Sequence, residues 1–348
     1  MAVLNISRRK SLMLLINVLG IIGLFIFQSI WYQEVHMESL IMPRSAINKS
    51  VIKNMHATDI SHSERRTSMP LLGWRKNVNW RPGAKLDIYN FLINPVEKCK
   101  IGKDNNITLL VLVKSAPGNI QRRDAARRTY IKGAENVNLP ARVVFILGES
   151  ESQEERDDVY MESETHADIL RVGFLDHYYN LTIKLIMGFK WMINYCSSEF
   201  LMTMDDDVVI DIVTLVNDLN AIPKSDRSQM VIGTRGVGYK PHRNSESKWY
   251  VPEEFYPEKT YPPFPFGHGY VISQDVVLKL FLISRETPSL VPFDDVYCGI
   301  LLNKMGIKII HRPQWYRDRH PTEKNHDYLK IEVPAQNMDK AWEEFRRN

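Results

Sequence analysis

Three successive carboxylates, Asp205-Asp206-Asp207, follow the apolar run EFLMTM (199–204). Like charges this close raise one another's pKa, so a cation or open solvent must offset them. In an extended or turn conformation Asp205 and Asp207 face the same side. Hard oxygen ligands of that kind suit Mg²⁺ or Mn²⁺ with positions left open for a substrate diphosphate. The plain alternative is a solvated acidic turn that caps the following helix. A second acidic pair, Asp294-Asp295, also has two uses. One is a general base within about 3 Å of an acceptor hydroxyl; the other is a helix N-cap. The segment VKSAPGNIQRRDAARRTY (113–130) sets Arg123, Arg127 and Arg128 on one helix, where guanidinium groups either meet phosphate or face water. KWYVPEEFYPEKTYPPFPFGHGYVIS (248–273) is dense in aromatics and Pro and contains Gly267-His268-Gly269. Such a stretch builds a rigid, ring-lined groove for sugars, which present flat apolar faces as well as hydroxyls, or it buries its rings under a long loop.

The elements that must hold these side chains alternate between strand and helix from Ile107 onward, a pattern that predicts a mainly parallel sheet flanked by helices. ITLLVLVK (107–114) is the first apolar run, followed by a basic helix over 122–131, a strand RVVFILG (142–148), an acidic helix over 151–164 and a strand over 168–172. Leu181, Leu185, Phe189, Met192 and Cys196 recur at helical spacing, so Tyr179 to Tyr195 forms an amphipathic helix against the sheet. EFLMTM is the next strand and runs straight into the acidic triplet; a helix over 212–220 and strands over 269–273 and 307–311 follow. The triplet thus lies at the carboxyl end of a strand, where open α/β sheets gather their ligands.

The chain has 348 residues, 44% hydrophobic and 25% charged, which excludes a wholly disordered or collagen-like protein. Its 45 basic residues against 41 acidic ones give +4, too small and dispersed an excess for a nucleic-acid footprint. Residues 11–30, SLMLLINVLGIIGLFIFQSI, are uncharged, about the twenty residues a helix needs to cross a bilayer. Arg8, Arg9 and Lys10 precede them and Glu34 and Glu38 follow, so the short N-terminus is expected in the cytoplasm and the rest in a lumen. No small-x-small cleavage site follows, which favours an uncleaved signal-anchor. Residues 31–84 lack periodicity and read as a stem, with a folded domain over 85–348. In an oxidising lumen two of Cys99, Cys196 and Cys298 can pair, and Asn48 and Asn106 stand in usable glycosylation acceptors.

Between about Lys85 and Ile310 the chain resembles the β1,3-galactosyltransferases and their β1,3-N-acetylglucosaminyltransferase relatives, with the motifs in the family's order. RRDAARRTY resembles an R-x-x-x-R-x-T-W element with Tyr130 in place of Trp, and DILRVGFLDHYYNLTIK (168–184) is similar to the family's D-I-L and D-F-x-D-x-Y-x-N-L-T-x-K. FLMTMDDDVVI, KWYV, YPPFPFGHGYVIS and DDVYCG are similar to further family motifs, with Asp294 standing where Glu is usual.

The resemblance implies a Golgi type II membrane enzyme with a GT-A fold, a Rossmann-like sheet behind one N-terminal transmembrane helix. It implies an inverting, Mn²⁺-dependent transfer of galactose from UDP-galactose to the 3-hydroxyl of an acceptor sugar on lipid or protein. N-acetylglucosamine or N-acetylgalactosamine transfer is the alternative within the class. By the same carry-over Asp205 and Asp207 hold the metal; Arg123, Arg127, Lys184, Asp205 and Asp206 lie in the UDP-sugar site; Asp295 is the base; and Trp249, Tyr250, Tyr261 and Gly269 lie near the acceptor. A disulfide between Cys99 and Cys196 is implied too. The family's C-terminal histidine ligand falls where this chain reads Lys330-Ile331-Glu332-Val333-Pro334, so no histidine is assigned, with His311, His320 and His326 nearby. A membrane-anchored sugar-binding protein or transferase partner is the non-enzymatic alternative, and a luminal phosphohydrolase a third, disfavoured by the scarcity of His near the acidic clusters.

Overall fold

The computed structural model describes residues 78–100, 107–312 and 328–347. The expected cytoplasmic tail, membrane-spanning segment and most of the stem, with Asn48, Asn106, His320 and His326, lie outside the described residues. Among the described residues no helix is long and apolar enough to cross a membrane. The chain divides into two units, Met1–Gly73 and Trp74–Asn348, and every described residue belongs to the second. Its core reaches back into the segment read as stem. Trp80 is fully buried, its backbone N–H donating to Asn180 Oδ1 at 2.8 Å and its indole N–H to Ser289 Oγ at 2.9 Å.

The strands are β1 (Phe91–Ile93), β2 (Leu109–Lys114), β3 (Ala141–Glu149), β4 (Ile169–Leu175), β5 (Phe200–Asp205), β6 (Val209–Ile210), β7 (Val231–Gly236), β8 (Phe264–Ser273), β9 (Ile310–His311) and β10 (Leu329–Lys330). The helices are α1 (Ile120–Ala126), α2 (Lys132–Asn136), α3 (Gln153–His166), α4 (Leu181–Tyr195), α5 (Ile212–Ala221), α6 (Gln274–Ser284), α7 (Asp294–Met305) and α8 (Met338–Arg346). Eight strands form one mixed, mostly parallel sheet in the order β1-β4-β3-β2-β5-β8-β7-β9, and β6 pairs with β10 in a separate ribbon.

The apolar run of β2 reads as a strand buried on both faces, and it is one. Leu109, Val111 and Val113 enter one core with Ala125, Leu215 and Phe345, while Leu110 and Leu112 enter the other with Ile186, Leu280 and Leu301. Helices α4, α6 and α7 thus cover one face and α1, α5 and α8 the other. A disulfide joins Cys99 to Cys196 just past the end of α4, and Cys298 is a buried thiol.

The basic helix expected over 122–131 is broken. It begins at Ile120, passes into a wider π turn over Arg127–Ile131 where Thr129 leaves helical geometry (φ −104°, ψ −105°), and resumes as α2. The Thr129 hydroxyl donates back to the Ala125 carbonyl at 2.6 Å, the kind of local bond that bends helices. Strand β8 starts five residues before the expected Gly269. Pro265 is tolerated there because the β5 pairing ends at Met204 opposite Gly269, so no β5 residue stands opposite it.

The chain visits β3 and β4 on one side of β2 and then places β5 on the other. That reversal is the switch point at which α/β sheets open a crevice beyond their strand ends. Lys114 and Asp205, the last residues of β2 and β5, are register partners at its lip.

Candidate active site

The three carboxylates at the end of β5 have separate surroundings. Asp206 turns inward, 6% exposed, and accepts from Ser115 Oγ (2.7 Å), Asn119 Nδ2 (2.8 Å) and Arg122 Nη1 (2.6 Å). These bonds tie the turn to the loop after β2, so within the expected donor site Asp206 holds the backbone and Arg122 in place. Asp205 and Asp207 remain open, their side chains 37% and 28% exposed. Asp207 is fixed through its backbone, whose carbonyl accepts from Val333 N–H at 2.8 Å. The segment where the family's histidine was sought therefore packs beside the triplet and brings Glu332, with a left-handed φ of 54°, near it. His311 lies elsewhere, on β9, accepting from the Arg235 backbone N–H.

Lys114 links the two acidic clusters. Its ammonium is 3% exposed and reaches Asp205 Oδ1 at 3.0 Å, Asp294 Oδ2 at 2.6 Å and the Gly267 carbonyl at 3.1 Å. Burial alone would lower its pKa, but Asp205 and Asp294 outweigh it and hold the charge well above the usual lysine range. Asp205 is pushed up by desolvation and by Asp294 and Asp207, against the pull of Lys114. Neither residue of the second acidic pair caps α7. The N-cap is Phe293, with no side-chain cap; Asp294 is taken by Lys114, and Asp295 accepts from the Gly267 N–H at 3.2 Å and the Val296 N–H at 2.7 Å. Desolvation first, then the negative charge of Asp294, raise Asp295 to about 7. A carboxyl poised there is suited to proton transfer near neutral pH.

The cations expected against phosphate are mostly engaged within the protein. Arg123 is fully buried and grips Glu162 with Nε at 2.8 Å and Nη2 at 2.7 Å. It also donates to the carbonyls of Ala116 (2.5 Å) and Pro117 (2.9 Å). Arg127 pairs with Asp168 at 2.8 Å and Glu162 at 2.7 Å and lies over the Phe145 ring. Lys184 is buried between the Ser115 carbonyl (2.6 Å) and Asp176 Oδ2 (2.8 Å). Asp176 also accepts from the Gly148 N–H at 2.6 Å, an approach open only to glycine, since a Cβ there would stand 2.7 Å from the Phe174 carbonyl oxygen. These three residues brace the loops after β2, β3 and β4 from beneath.

On the other side of the acidic lip stands a ring-lined rim. Trp249 is 45% exposed and Tyr178 41%; the Trp249 indole donates to the Tyr178 hydroxyl at 3.1 Å, and the Lys248 ammonium lies over both rings. Tyr179 and Phe293 pack against Tyr178 at 5.5 and 6.2 Å. Burial pushes the Tyr178 phenol up to about 12, and the charges of Asp295, Asp294 and Asp205 add to that rise. Of the other expected acceptor residues, Tyr250 is half-buried and Tyr261 is buried against Tyr256 and Phe264. Gly269 faces the core, where a Cβ would meet Met202 and Leu329 at 2.9 Å. The glycine at the cleft is instead Gly267, whose Cβ position is 3.3 Å from Asp295 Oδ2.

Sequence reasoning did not single out Lys114, Arg122, Tyr178 or Lys248. Lys114 carried a signal, as a lone charge closing an otherwise apolar run. Tyr178 and Lys248 stood in quoted motifs, at the Tyr of D-F-x-D-x-Y-x-N-L-T-x-K and the start of KWYV, whereas Arg122 had no signal to set it apart from its neighbouring arginines.

A family model described as Galactosyltransferase matches residues 121–313, from the start of α1 through β9. The chain belongs to the galactosyltransferase family. Among its relatives, lactosylceramide 1,3-N-acetyl-beta-D-glucosaminyltransferase of Xenopus tropicalis is 36% identical over 229 residues, 63% of this chain and 59% of that protein. Human beta-1,3-galactosyltransferase 2 is 34% identical over 235 residues, 67% of this chain and 55% of that protein. The Drosophila melanogaster beta-1,3-galactosyltransferase brn is 32% identical over 268 residues, 75% of this chain and 81% of that protein. The first two matches thus span under two thirds of their relatives' lengths. A solved galactosyltransferase, LgtC, shares 10% identity and a TM-score of 0.34 over 60% of this chain and 74% of that chain. In this galactosyltransferase-family chain, Asp168 and Asn180 of the family-like motifs prove architectural: the first pairs with Arg127 and the second anchors Trp80.

Proposed function

We propose that the protein is an inverting β1,3-glycosyltransferase that moves a hexose, galactose first, from a UDP-sugar to the 3-hydroxyl of an acceptor sugar on a lipid or protein. The observation that carries this reading is the pairing of an open, carboxylate-rich lip at the sheet's switch point with one half-buried carboxyl, Asp295, raised to about 7 and aligned by the Gly267 and Val296 N–H groups. The same placement supports assigning the sheet to the GT-A class.

The donor set fits a divalent cation such as Mn²⁺. Asp205 and Asp207 offer hard oxygens and excess negative charge, and no three ligating side chains converge into a cage among the described residues, so substrate diphosphate and water would complete the coordination. Bound there, the cation supplies Lewis-acid stabilisation of the charge that grows on the leaving UDP. The remaining steps belong to this chain's own residues. Tyr178 and Trp249 hold the flat face of the acceptor sugar. Asp295 takes the proton of the attacking hydroxyl as that oxygen approaches the anomeric carbon from the side opposite UDP, which gives a β bond with inversion. Lys114 offsets Asp205 and Asp294 throughout, so that Asp295 is not raised too far to act as a base. The apolar segment at 11–30 supports a type II anchor in the Golgi membrane with the catalytic unit in the lumen.

Transfer of N-acetylglucosamine is the second reading, favoured by the lactosylceramide N-acetylglucosaminyltransferases at 34–37% identity among the relatives. Release of UDP by the purified protein with Mn²⁺ decides between them, with UDP-galactose, UDP-N-acetylglucosamine and UDP-N-acetylgalactosamine offered against a panel of acceptor sugars. Acceptor-dependent turnover with UDP-galactose supports the first reading and with UDP-N-acetylglucosamine the second. Sugar binding without turnover from any donor supports a lectin or partner role.

A further inference from the structure

Around the acidic lip the cations differ in how many of their donors are already used. Lys114 has three N–H donors and three acceptors within 3.1 Å. Lys184 is buried between two acceptors, and Arg123 and Arg127 spend their guanidinium groups on Glu162, Asp168 and backbone carbonyls. Arg122 is different. Its side chain is 36% exposed, and its contacts come through one nitrogen, Nη1, to Asp206 at 2.6 Å and Asp207 at 3.7 Å. Among the described residues neither Nε nor Nη2 donates to the protein, so one edge of a planar five-donor fork is left without a protein acceptor on a side chain open to solvent beside Asp207.

The anchor of that fork is rigid. Asp206 is buried and held by Ser115 and Asn119 as well as by Arg122, so the guanidinium is presented in a fixed position without further ordering. From this geometry we infer that Arg122 clamps the diphosphate of the donor, its free edge taking phosphate oxygens beside Asp207. The inference deepens the donor reading above and rests on it. A fixed guanidinium matches phosphate oxygens in bidentate fashion, which a lysine ammonium cannot reproduce. It also meets a charge requirement. Among the described residues Asp205, Asp206, Asp207 and Asp294 find only Lys114 and Arg122 as paired cations at this lip, and an incoming diphosphate adds further negative charge, which a divalent cation alone would have to offset. The competing role for Arg122 is to neutralise Asp206 and Asp207 without touching a ligand.

Titration calorimetry of the purified full chain with UDP and with uridine, each in the presence of Mn²⁺, separates the two roles. For Arg122→Gln, UDP affinity is expected to fall by about ten- to a hundred-fold, the range for lost hydrogen bonds to a charged group, while uridine affinity stays at the wild-type value. Arg122→Lys should recover part of the UDP affinity, because it keeps the charge and loses the fork. Equal affinities for wild type and Arg122→Gln, or a loss shared equally by UDP and uridine, would overturn the clamp, the second pointing to a structural role. If wild type itself binds uridine and UDP alike or neither, the donor reading fails at its base and the clamp with it, a result visible before any variant is compared.

Discussion

Two charged regions lie back to back in this molecule, and they treat charge in opposite ways. Beneath the loops after β2, β3 and β4, Arg123, Arg127 and Lys184 are matched by Glu162, Asp168 and Asp176, every group buried or nearly so. At the lip formed by the ends of β2 and β5 with the start of α7, five carboxylates meet two cations among the described residues. A saturated network is a brace: removing one partner strands the other in a medium of low dielectric, while nothing is left over for a ligand. An unsaturated one is a site. Its surplus appears as the exposure of Asp205 and Asp207 and adds to desolvation, the larger cause, in raising the pKa of Asp205 and Asp295. Sequence motifs do not distinguish the two, since RRDAARRTY contributes Arg123 and Arg127 to the brace and Arg122 to the lip.

The largest effect that would sharpen this contrast is on turnover. Asp207→Asn removes a charge from the open lip and is expected to cut kcat/KM by roughly a hundred- to a thousand-fold, as loss of a transition-state electrostatic group does, with the melting temperature unchanged. Next comes the brace. Glu162→Ala leaves Arg123 buried without its carboxylate and is expected to cost about 3–5 kcal/mol of stability, read as a fall in melting temperature, with the donor KM of the folded enzyme preserved. A donor KM that rises while stability holds would break the contrast and return Arg123 to the donor site. Smaller again is the ring pair. Trp249→Ala should raise the acceptor KM by up to about ten-fold, the scale of one lost aromatic contact, and leave the donor KM alone.

A further expected effect concerns pH and stability. Asp295 has a usual value of 3.8 and is raised to about 7 in the fold. The folded protein therefore holds a proton that the unfolded chain gives up, and stability from that proton is fully present below about pH 4 and lost as pH rises through 7. Asn at this position carries no charge and keeps an oxygen for one of the two backbone N–H groups, which in the wild type donate to separate oxygens. Asp295→Asn should accordingly melt higher than wild type at pH 8, by about 2–4 °C for each kcal/mol relieved, and melt no higher than wild type near pH 4. A lower melting temperature at pH 8 would contradict the strain assigned to this carboxylate.

Much of the scaffold was legible because it depends on local periodicity. The buried run of β2, the amphipathic repeat of α4 and the acidic triplet after β5 each occupy the place their patterns indicate. Three-residue β1 carries too few residues for a pattern, and Pro265 hides the start of β8, which there pairs with β7 alone, Arg235 standing opposite Pro265. At the site, the motifs located the residues but not their directions. Asp205 and Asp207 open outward while Asp206 between them turns in, and Gly267, not Gly269, approaches the base. Those differences arise from contacts between residues far apart in sequence, such as Lys114 with Asp294, 180 residues on.

The most direct test of the whole account is acceptor-dependent UDP release by Asp295→Asn at pH 8, on protein whose melting temperature has been measured in the same preparation. The account predicts a folded variant, at least as stable as wild type, whose turnover is reduced by roughly a hundred- to ten-thousand-fold, the range for loss of a general base. Turnover at the wild-type rate from that folded variant would contradict it, and would move the proton acceptor away from α7.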